Sequence, residues 1–225
     1  MRKRINRNVL LSIYKKLYKF YSSQKWWPAD TRFEVIVGAI LTQNTSWKNV
    51  EKAIKNLKKA NVLSSPYRIG RLKKGELSRL IKPAGYYNVK AERLKNFLTF
   101  LTAEYSGSLN KLSHQKTEKL RQELLGVNGI GPETCDSILL YAFKRPVFVV
   151  DAYTKRIFER HKICNKDLDY HQIQKIFMDN LPRNYKLYNE YHALIVRLGK
   201  EVCRKLPNCK ICPLGKRKVL ANRIL

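Results

Sequence analysis

A glycine-rich turn between two helical segments constrains this 225-residue chain more than any other feature. Apolar residues recur at helical spacing in Thr117–Leu125 and again in Glu133–Phe143, and Gly126, Gly129 and Gly131 lie between them. Glycines allow the positive φ angles of a tight turn and leave the backbone N–H groups uncovered. The first N–H groups of the second helix, and its dipole, favour an anion at the same place. The sequence therefore predicts a hairpin of helices that grips a phosphate backbone without reading bases.

A single carboxylate, Asp151, follows the short apolar run 146–150 and directly precedes another helical segment. Its position suits an N-cap of that helix. It also suits a chemical role, because the apolar run would deliver the carboxylate close to a bound strand. The sequence allows both roles together.

The charge of the chain favours a polyanionic partner. Lysine and arginine number 46 and aspartate and glutamate 17, which gives a formal net charge of +29. Each phosphate that a basic surface neutralises releases counterions, so such an excess favours nucleic acid. A lysine-rich surface of a heat-adapted protein would explain the many lysines but not the few acids. The longest apolar runs, such as 33–41, are far below the ~20 residues of a membrane span, so we expect a cytoplasmic, nucleoid-associated protein that does not bind membranes.

The chain is predicted to be all-α. Helical periodicity is found almost throughout, and breaks are expected at 27–28, 64–66, 83–85, 106–107 and 181–182. The predicted helices outside the hairpin are Val9–Tyr21, Phe33–Leu41, Asn49–Lys59, Glu76–Lys82, Ala91–Tyr105, Asp151–Arg160, His171–Asn180 and Tyr185–Glu201.

With the glycine turn, the downstream aspartate and three C-terminal cysteines, the chain resembles the endonuclease III superfamily of helix-hairpin-helix DNA glycosylases over roughly residues 28–214. The resemblance implies a two-lobed helical fold. Residues 30–140 would form a six-helix barrel with the hairpin at about 117–143. Residues 1–29 and 141–225 would form a second lobe that carries the cysteine loop 203–212, with the substrate cleft between the lobes.

The resemblance also implies base excision repair of double-stranded DNA that contains a damaged base, here by a monomer. Such enzymes flip the nucleotide and cut its N-glycosidic bond. The family's catalytic aspartate falls on Asp151, and a fixed carboxylate can stabilise the positive charge that develops on the sugar or activate a water. Gln43 matches the residue that fills the gap left by the flipped nucleotide. The other residues expected to bind DNA are those of the hairpin: Gly126, Gly129, Ile130, Gly131 and Thr134.

Members that also nick the strand carry a lysine where this chain has Glu133. A glutamate cannot form the Schiff base that strand cleavage requires. The sequence therefore predicts a monofunctional N-glycosylase without AP-lyase activity.

Three tryptophans, Trp26, Trp27 and Trp47, lie on both sides of a Thr-Gln-Asn-Thr segment. The Trp-Trp-Pro and Thr-Gln-Asn-Thr elements look most like the 3-methyladenine glycosylase branch, where aromatic rings sandwich the base, and Tyr87 falls in another matching segment. An alkylated purine carries a positive charge that aromatic faces attract. The alternative is that these rings pack the core. We expect Trp27 and Trp47, rather than Trp26, to line the pocket, because adjacent aromatic residues seldom face one cavity.

The spacing of Cys203, Cys209 and Cys212 resembles the family's [4Fe–4S] loop. The fourth cysteine would fall near Lys218, and the chain has none there. A cluster with a non-cysteine fourth ligand, a three-iron cluster, zinc and an empty loop therefore stay open. The four histidines show no metal-ligand spacing and are expected at the surface or in the core.

The expected function is thus excision of alkylated purines such as 3-methyladenine. Two alternatives stay open. One is a glycosylase for uracil, mispaired thymine or oxidised bases on the same scaffold. The other is a helix-hairpin-helix module that binds DNA without catalysis, although such a module needs no carboxylate that faces anionic DNA.

Overall fold

The computed structural model describes residues 6–215 and is all-helical, with no strand in that range, which confirms the predicted fold class. Its helices are α1 (Arg7–Tyr21), α2 (Arg32–Leu41), α3 (Trp47–Lys59), α4 (Pro66–Arg71), α5 (Lys74–Leu80), α6 (Tyr87–Tyr105), α7 (Leu109–Ser113), α8 (Thr117–Gly126), α9 (Pro132–Ser137), α10 (Ala152–Arg160), α11 (Tyr170–Asn180) and α12 (Tyr185–Glu201), with a 3₁₀ turn at Lys82–Ala84 and a π turn at Ile138–Ala142.

The chain divides into two compact units. One is Trp27–Arg145, and the other combines Met1–Trp26 with Pro146–Leu225. In the part of the chain that the structure describes, no helix is long and apolar enough to cross a membrane.

The central helix of the Trp27–Arg145 unit is α2. Every residue from Phe33 to Leu41 is buried, because α3, α6, α9 and the π turn all pack against this helix. A helix that is apolar on all sides needs such a surround. Thr31 begins the helix as its N-cap, and its hydroxyl accepts from Glu34 N.

The core of the other unit is aromatic. Phe148 and Phe177 stack with ring centroids 3.9 Å apart, and Tyr191 packs edge-on against both rings. The hydroxyl of Tyr191 donates to Leu10 O at 2.8 Å and so ties α12 to α1. Gln174 Nε2 donates to Phe148 O at 2.7 Å, which fixes the buried run that leads to Asp151.

The sequence analysis missed two short helices and extended a third too far as an α-helix. The break predicted at 64–66 overlaps the non-helical segment 60–65, but the helix α4 that follows was not predicted. Ser65 caps this helix and Pro66 takes its first position, where a missing N–H costs nothing. Ser108 caps the short helix α7 in the same way. The helix predicted as Glu133–Phe143 is α only to Ser137 and continues as a π turn, closed by a bond from Phe143 N to Ile138 O.

Candidate functional site

The hairpin turn depends on one glycine. Gly129 has φ +93°, and a Cβ there would lie 2.2 Å from Arg93 Cγ, so both the backbone and the packing exclude a side chain. Of the three glycines of the turn, only Gly129 has a positive φ. Gly126 is the last residue of α8, and Gly131 is the N-cap of α9 with φ −86°. A Cβ at either would meet no atom of the protein within 4 Å.

Gln43 binds the hairpin directly. Its Nε2 donates to Gly129 O and to Thr134 Oγ1, each at 2.9 Å, and its Oε1 accepts from Arg93 Nη1. The amide therefore holds the loop after α2, the turn and α6 together. To enter a gap in DNA, Gln43 would have to exchange these bonds for bonds to bases.

The two hairpin helices are also joined by a buried ion pair that the sequence did not single out. Arg121 Nε and Nη2 donate to the two carboxylate oxygens of Asp136 at 2.7 and 3.1 Å, and Asp136 is fully buried. Such a two-pronged bond fixes the angle between α8 and α9. The side chains of Ile130 and Thr134 are buried as well, so any contact with DNA falls to their backbone groups. Glu133 is exposed in the first turn of α9.

Two of the predicted pocket residues lie together. The rings of Trp27 and Trp47 are 5.0 Å apart at 87°, and Tyr141, which the sequence reading missed, lies 5.0 Å from Trp27. The Trp27–Trp47 contact is edge-to-face, so a base would stack on an outer face of a ring, not between the two. Trp26 belongs to the other unit and is half-buried. Tyr87 is the half-buried first residue of α6.

A cavity of about 220 Å³ adjoins these tryptophans, and carboxylates contribute to its lining. Glu51 accepts from Trp47 Nε1 at 2.8 Å, and the buried Glu34 pairs with Lys58 at 2.8 Å. Hydrogen bonds from Lys58 to Asp30 and Glu34 raise the pKa of this lysine. The lining thus combines aromatic faces with two glutamates and two lysines, Lys55 and Lys58, and the aromatic faces are the part that favours a flat cationic ring.

The carboxylate of Asp151 is held through one of its oxygens. Oδ1 accepts from Thr154 N at 2.7 Å and from Thr154 Oγ1 at 2.8 Å, which makes Asp151 the N-cap of α10. Oδ2 lies 3.6 Å from Nε2 of His192 on α12. The side chain of Asp151 is 11% exposed. A carboxylate with little water around it interacts strongly with a positive charge that develops nearby.

The cysteine loop does not fit the four-iron cluster that the resemblance implies. Cys203 is buried, Cys212 half-buried and Cys209 exposed. Among residues 6–215, no group of three or more His, Cys, Asp or Glu side chains is arranged to hold a metal ion. The position near Lys218, where the fourth cysteine was sought, lies outside the described residues. Three cysteines supply one thiolate fewer than the four that hold such a cluster.

Comparisons with known proteins show the family to which the chain belongs. The model of the family described as "HhH-GPD superfamily base excision DNA repair protein" matches residues 37–183. A "Putative DNA repair glycosylase" of Methanocaldococcus jannaschii is 51% identical over 210 residues, which cover 92% of this chain and 94% of the relative. Endonuclease III of Thermotoga maritima is 29% identical over 181 residues, 80% of this chain and 79% of that protein.

Among solved structures, the 3-methyladenine DNA glycosylase of H. pylori bound to 1,N6-ethenoadenine superimposes with a TM-score of 0.77 at 29% identity. The match covers 89% of this chain and 99% of that one. Together these matches confirm the resemblance inferred from the sequence.

His192 should make the fold sensitive to acid. Burial lowers its pKa below 6.5; Asp151 opposes the shift and Lys200 adds to it. The pKa of His192 is lower in the folded protein than in the unfolded chain, so the unfolded chain takes up a proton first as the pH falls. The contribution of neutral His192 to the free energy of unfolding is therefore complete above about pH 6.5 and is lost as the pH falls toward the folded pKa. We expect the free energy of unfolding, measured in urea from pH 8 to 5, to fall below pH 6.5 by up to about 1.4 kcal/mol per pH unit. His192→Phe should reduce this slope, and replacement of the exposed His114 by Gln should keep it. Equal slopes in wild type and His192→Phe would contradict the prediction.

Proposed function

The chain belongs to the HhH-GPD superfamily of base excision DNA repair proteins, and from this membership we propose that it is a monofunctional DNA N-glycosylase that removes alkylated purines such as 3-methyladenine. The observation that carries the proposal is the carboxylate of Asp151, which matches the family's catalytic aspartate and is fixed by Thr154. The proposed partner of the protein is double-stranded DNA with a damaged base, and the net charge of +29 favours binding to the phosphates of that DNA.

The geometry of Asp151 suits the chemistry of glycosidic cleavage. As the bond to the base breaks, positive charge builds on the sugar. The helix cap uses Oδ1, so Oδ2 is the oxygen that remains for the sugar cation or for a water that attacks it. Since Asp151 is mostly shielded from solvent, its charge is weakly screened and stabilises the transition state more than an exposed carboxylate would.

The aromatic cluster supports the choice of substrate. An N-alkylated purine is a flat cation whose glycosidic bond is already weakened, so modest catalytic assistance suffices. The rings of Trp27 and Trp47 offer such a base stacking and cation–π attraction, and the carboxylate of Glu51 lies beside Trp47. The similar H. pylori enzyme is itself a 3-methyladenine DNA glycosylase.

Asp151→Asn should bind DNA like wild type but release 3-methyladenine at least about a hundredfold more slowly in single-turnover reactions. Asparagine caps a helix as well as aspartate does, so the melting temperature should change little. Asp169 is a matched control, because it caps α11 through Gln172 N in the same manner. Asp169→Asn should retain excision. A rate for Asp151→Asn within tenfold of wild type would reject the assignment.

The same reactions test the absence of lyase activity. With Glu133 in place of the lysine, borohydride should trap no covalent complex on abasic DNA, and strands should break only after alkali. A robust trapped adduct would show that another amine acts as nucleophile, without touching the role of Asp151.

Substitutions at two glycines should separate phosphate binding by the hairpin from the stability of the hairpin. Because a Cβ at Gly131 meets nothing in the protein, Gly131→Val should keep the fold. It should weaken binding to damaged and undamaged duplexes alike, because the side chain obstructs the backbone that contacts phosphate. The loss of one charge-assisted hydrogen bond of about 1.5 kcal/mol corresponds to a decrease in affinity on the order of tenfold. Gly129→Ala should instead lower the melting temperature, since its Cβ collides with the stem of Arg93. Unchanged affinity of Gly131→Val for every duplex would rule out this surface.

The pocket is tested best at Trp47. Trp47→Ala should slow excision of 3-methyladenine by on the order of tenfold, if one stacking contact of ~1–3 kcal/mol is lost, and should barely alter duplex affinity. Trp47→Phe should retain most activity, because it keeps an aromatic face while losing the bond to Glu51. Trp27→Ala should slow excision to the same extent and should also reduce stability, because the Trp27 ring packs directly against Gly38: a Cβ built there would lie 3.2 Å from the ring.

If Trp47→Ala loses thermal stability in step with activity, the ring belongs to the core. If wild type releases uracil or mispaired thymine faster than 3-methyladenine, the alkylated-base assignment fails while the Asp151 assignment stands.

A further inference from the structure

The cysteine loop after α12 is held by arginine side chains. Arg160 Nη2 donates to Lys205 O at 2.8 Å, and its Nη1 donates to Arg204 O. Arg156 Nε donates to Cys203 O at 2.9 Å and its Nη2 to Gly199 O at 3.0 Å. Two guanidinium groups of α10 therefore bind one carbonyl near the end of α12, that of Gly199, and the three successive carbonyls of residues 203–205.

One of the thiols takes part in this arrangement as a hydrogen-bond acceptor. Arg160 Nη1 lies 3.3 Å from Cys203 Sγ. The guanidinium that bonds the carbonyl groups of the loop thus also contacts Cys203, the most buried of the three loop cysteines.

The space beside the cysteines is too small for a cluster. The cavity that Cys203, Cys209 and Cys212 line together with Arg160 and His161 measures about 20 Å³. A cavity of about 10–15 Å³ holds one water molecule, so this one has room for little more. A four-iron cluster contains eight atoms of iron and sulfide and needs four protein ligands.

We propose that Arg156 and Arg160 take over the task that an iron–sulfur cluster performs in endonuclease III-like proteins, and that this chain folds its cysteine loop without metal. The guanidinium group is suited to the task, since it is planar, permanently charged and carries five donors in a rigid fork. The clamp fixes the exposed residues Arg204, Lys205 and Lys210 at the surface, where they add to the positive charge that faces DNA. The DNA part of this inference rests on the proposed function, and the folding part does not.

The test begins with wild-type protein purified without oxygen. Iron and zinc should be substoichiometric, absorbance near 400 nm should be absent, and a chelator should leave the melting temperature unchanged. One iron cluster or one zinc ion per chain would overturn the proposal.

Variants then separate the arginines from the thiols. Arg160→Met keeps the length of the side chain but removes its donors, and it should lower the melting temperature by on the order of 5 °C. Arg160→Lys should recover part of that loss through a single donor. The double replacement Cys209→Ser and Cys212→Ser should stay within about 1 °C of wild type. If the cysteine variant is destabilised and Arg160→Met is not, the loop is held by its thiols and the proposal fails. If Arg160→Met does not fold, the Lys variant and the metal content decide.

DNA binding supplies a second readout. Arg160→Met should bind an undamaged duplex more weakly and with a smaller dependence on salt, because a loosened loop no longer presents its three basic residues to phosphates. The double cysteine variant should bind like wild type. A loss of thermal stability without any change in salt dependence would overturn the DNA part, whereas loss of base excision in wild type would count only against the proposed function.

Discussion

The turn at Gly129 is the constraint on which the Trp27–Arg145 unit depends. Its backbone has φ +93°, the stem of Arg93 occupies the space of a side chain, and Gln43 binds its carbonyl. Gln43 in turn accepts from Arg93. The loop after α2, the start of α6 and the hairpin are thereby joined through a single amide group, with Asp136 and Arg121 fixing the two hairpin helices below it. A displacement of any one of these segments breaks hydrogen bonds on the other two, so the turn has little conformational freedom.

Much of this could be predicted from the sequence, because the strongest signals are local. Long amphipathic helices such as α3 and α12 were predicted within two residues of their observed bounds, and α12 without error. The cap at Asp151 was also readable, since an N-cap depends on three or four consecutive residues. The short helices α4 and α7 were missed because a Ser-Pro pair and a Ser-Gly pair end helices as often as they begin them. The π turn at Ile138–Ala142 has no local signature, as its five residues are all apolar and buried.

The candidate site was predictable only where one residue type carries the chemistry. Asp151, the tryptophans and Gly129 could be identified because their residue types stand out within short sequence motifs. Tyr141, Asp136 and His192 are not: they belong to helical segments that read as ordinary core, and tertiary packing alone brings them beside Trp27, Arg121 and Asp151. The glycines illustrate the same limit. The sequence shows that three glycines allow positive φ but not which of them needs it; a single positive φ, at Gly129, reverses the chain, and the other two glycines leave the surface bare.

Buried charge sets the character of both units. Asp136 is fully buried, and the guanidinium of Arg121 neutralises its charge through two hydrogen bonds, so its role is to hold the two hairpin helices together. Asp151 is nearly as shielded, yet its neighbours are a helix N-terminus and an imidazole that burial keeps in its neutral form. No full positive charge within hydrogen-bonding distance cancels the carboxylate among the contacts described for it. Thr154 holds the carboxylate of Asp151 with an amide and a hydroxyl, and neither group cancels its charge. The two aspartates therefore differ in their partners: the charge of Asp136 is neutralised by a guanidinium, whereas that of Asp151 is not. Under the proposed function, this remaining charge is what stabilises a sugar that loses its base.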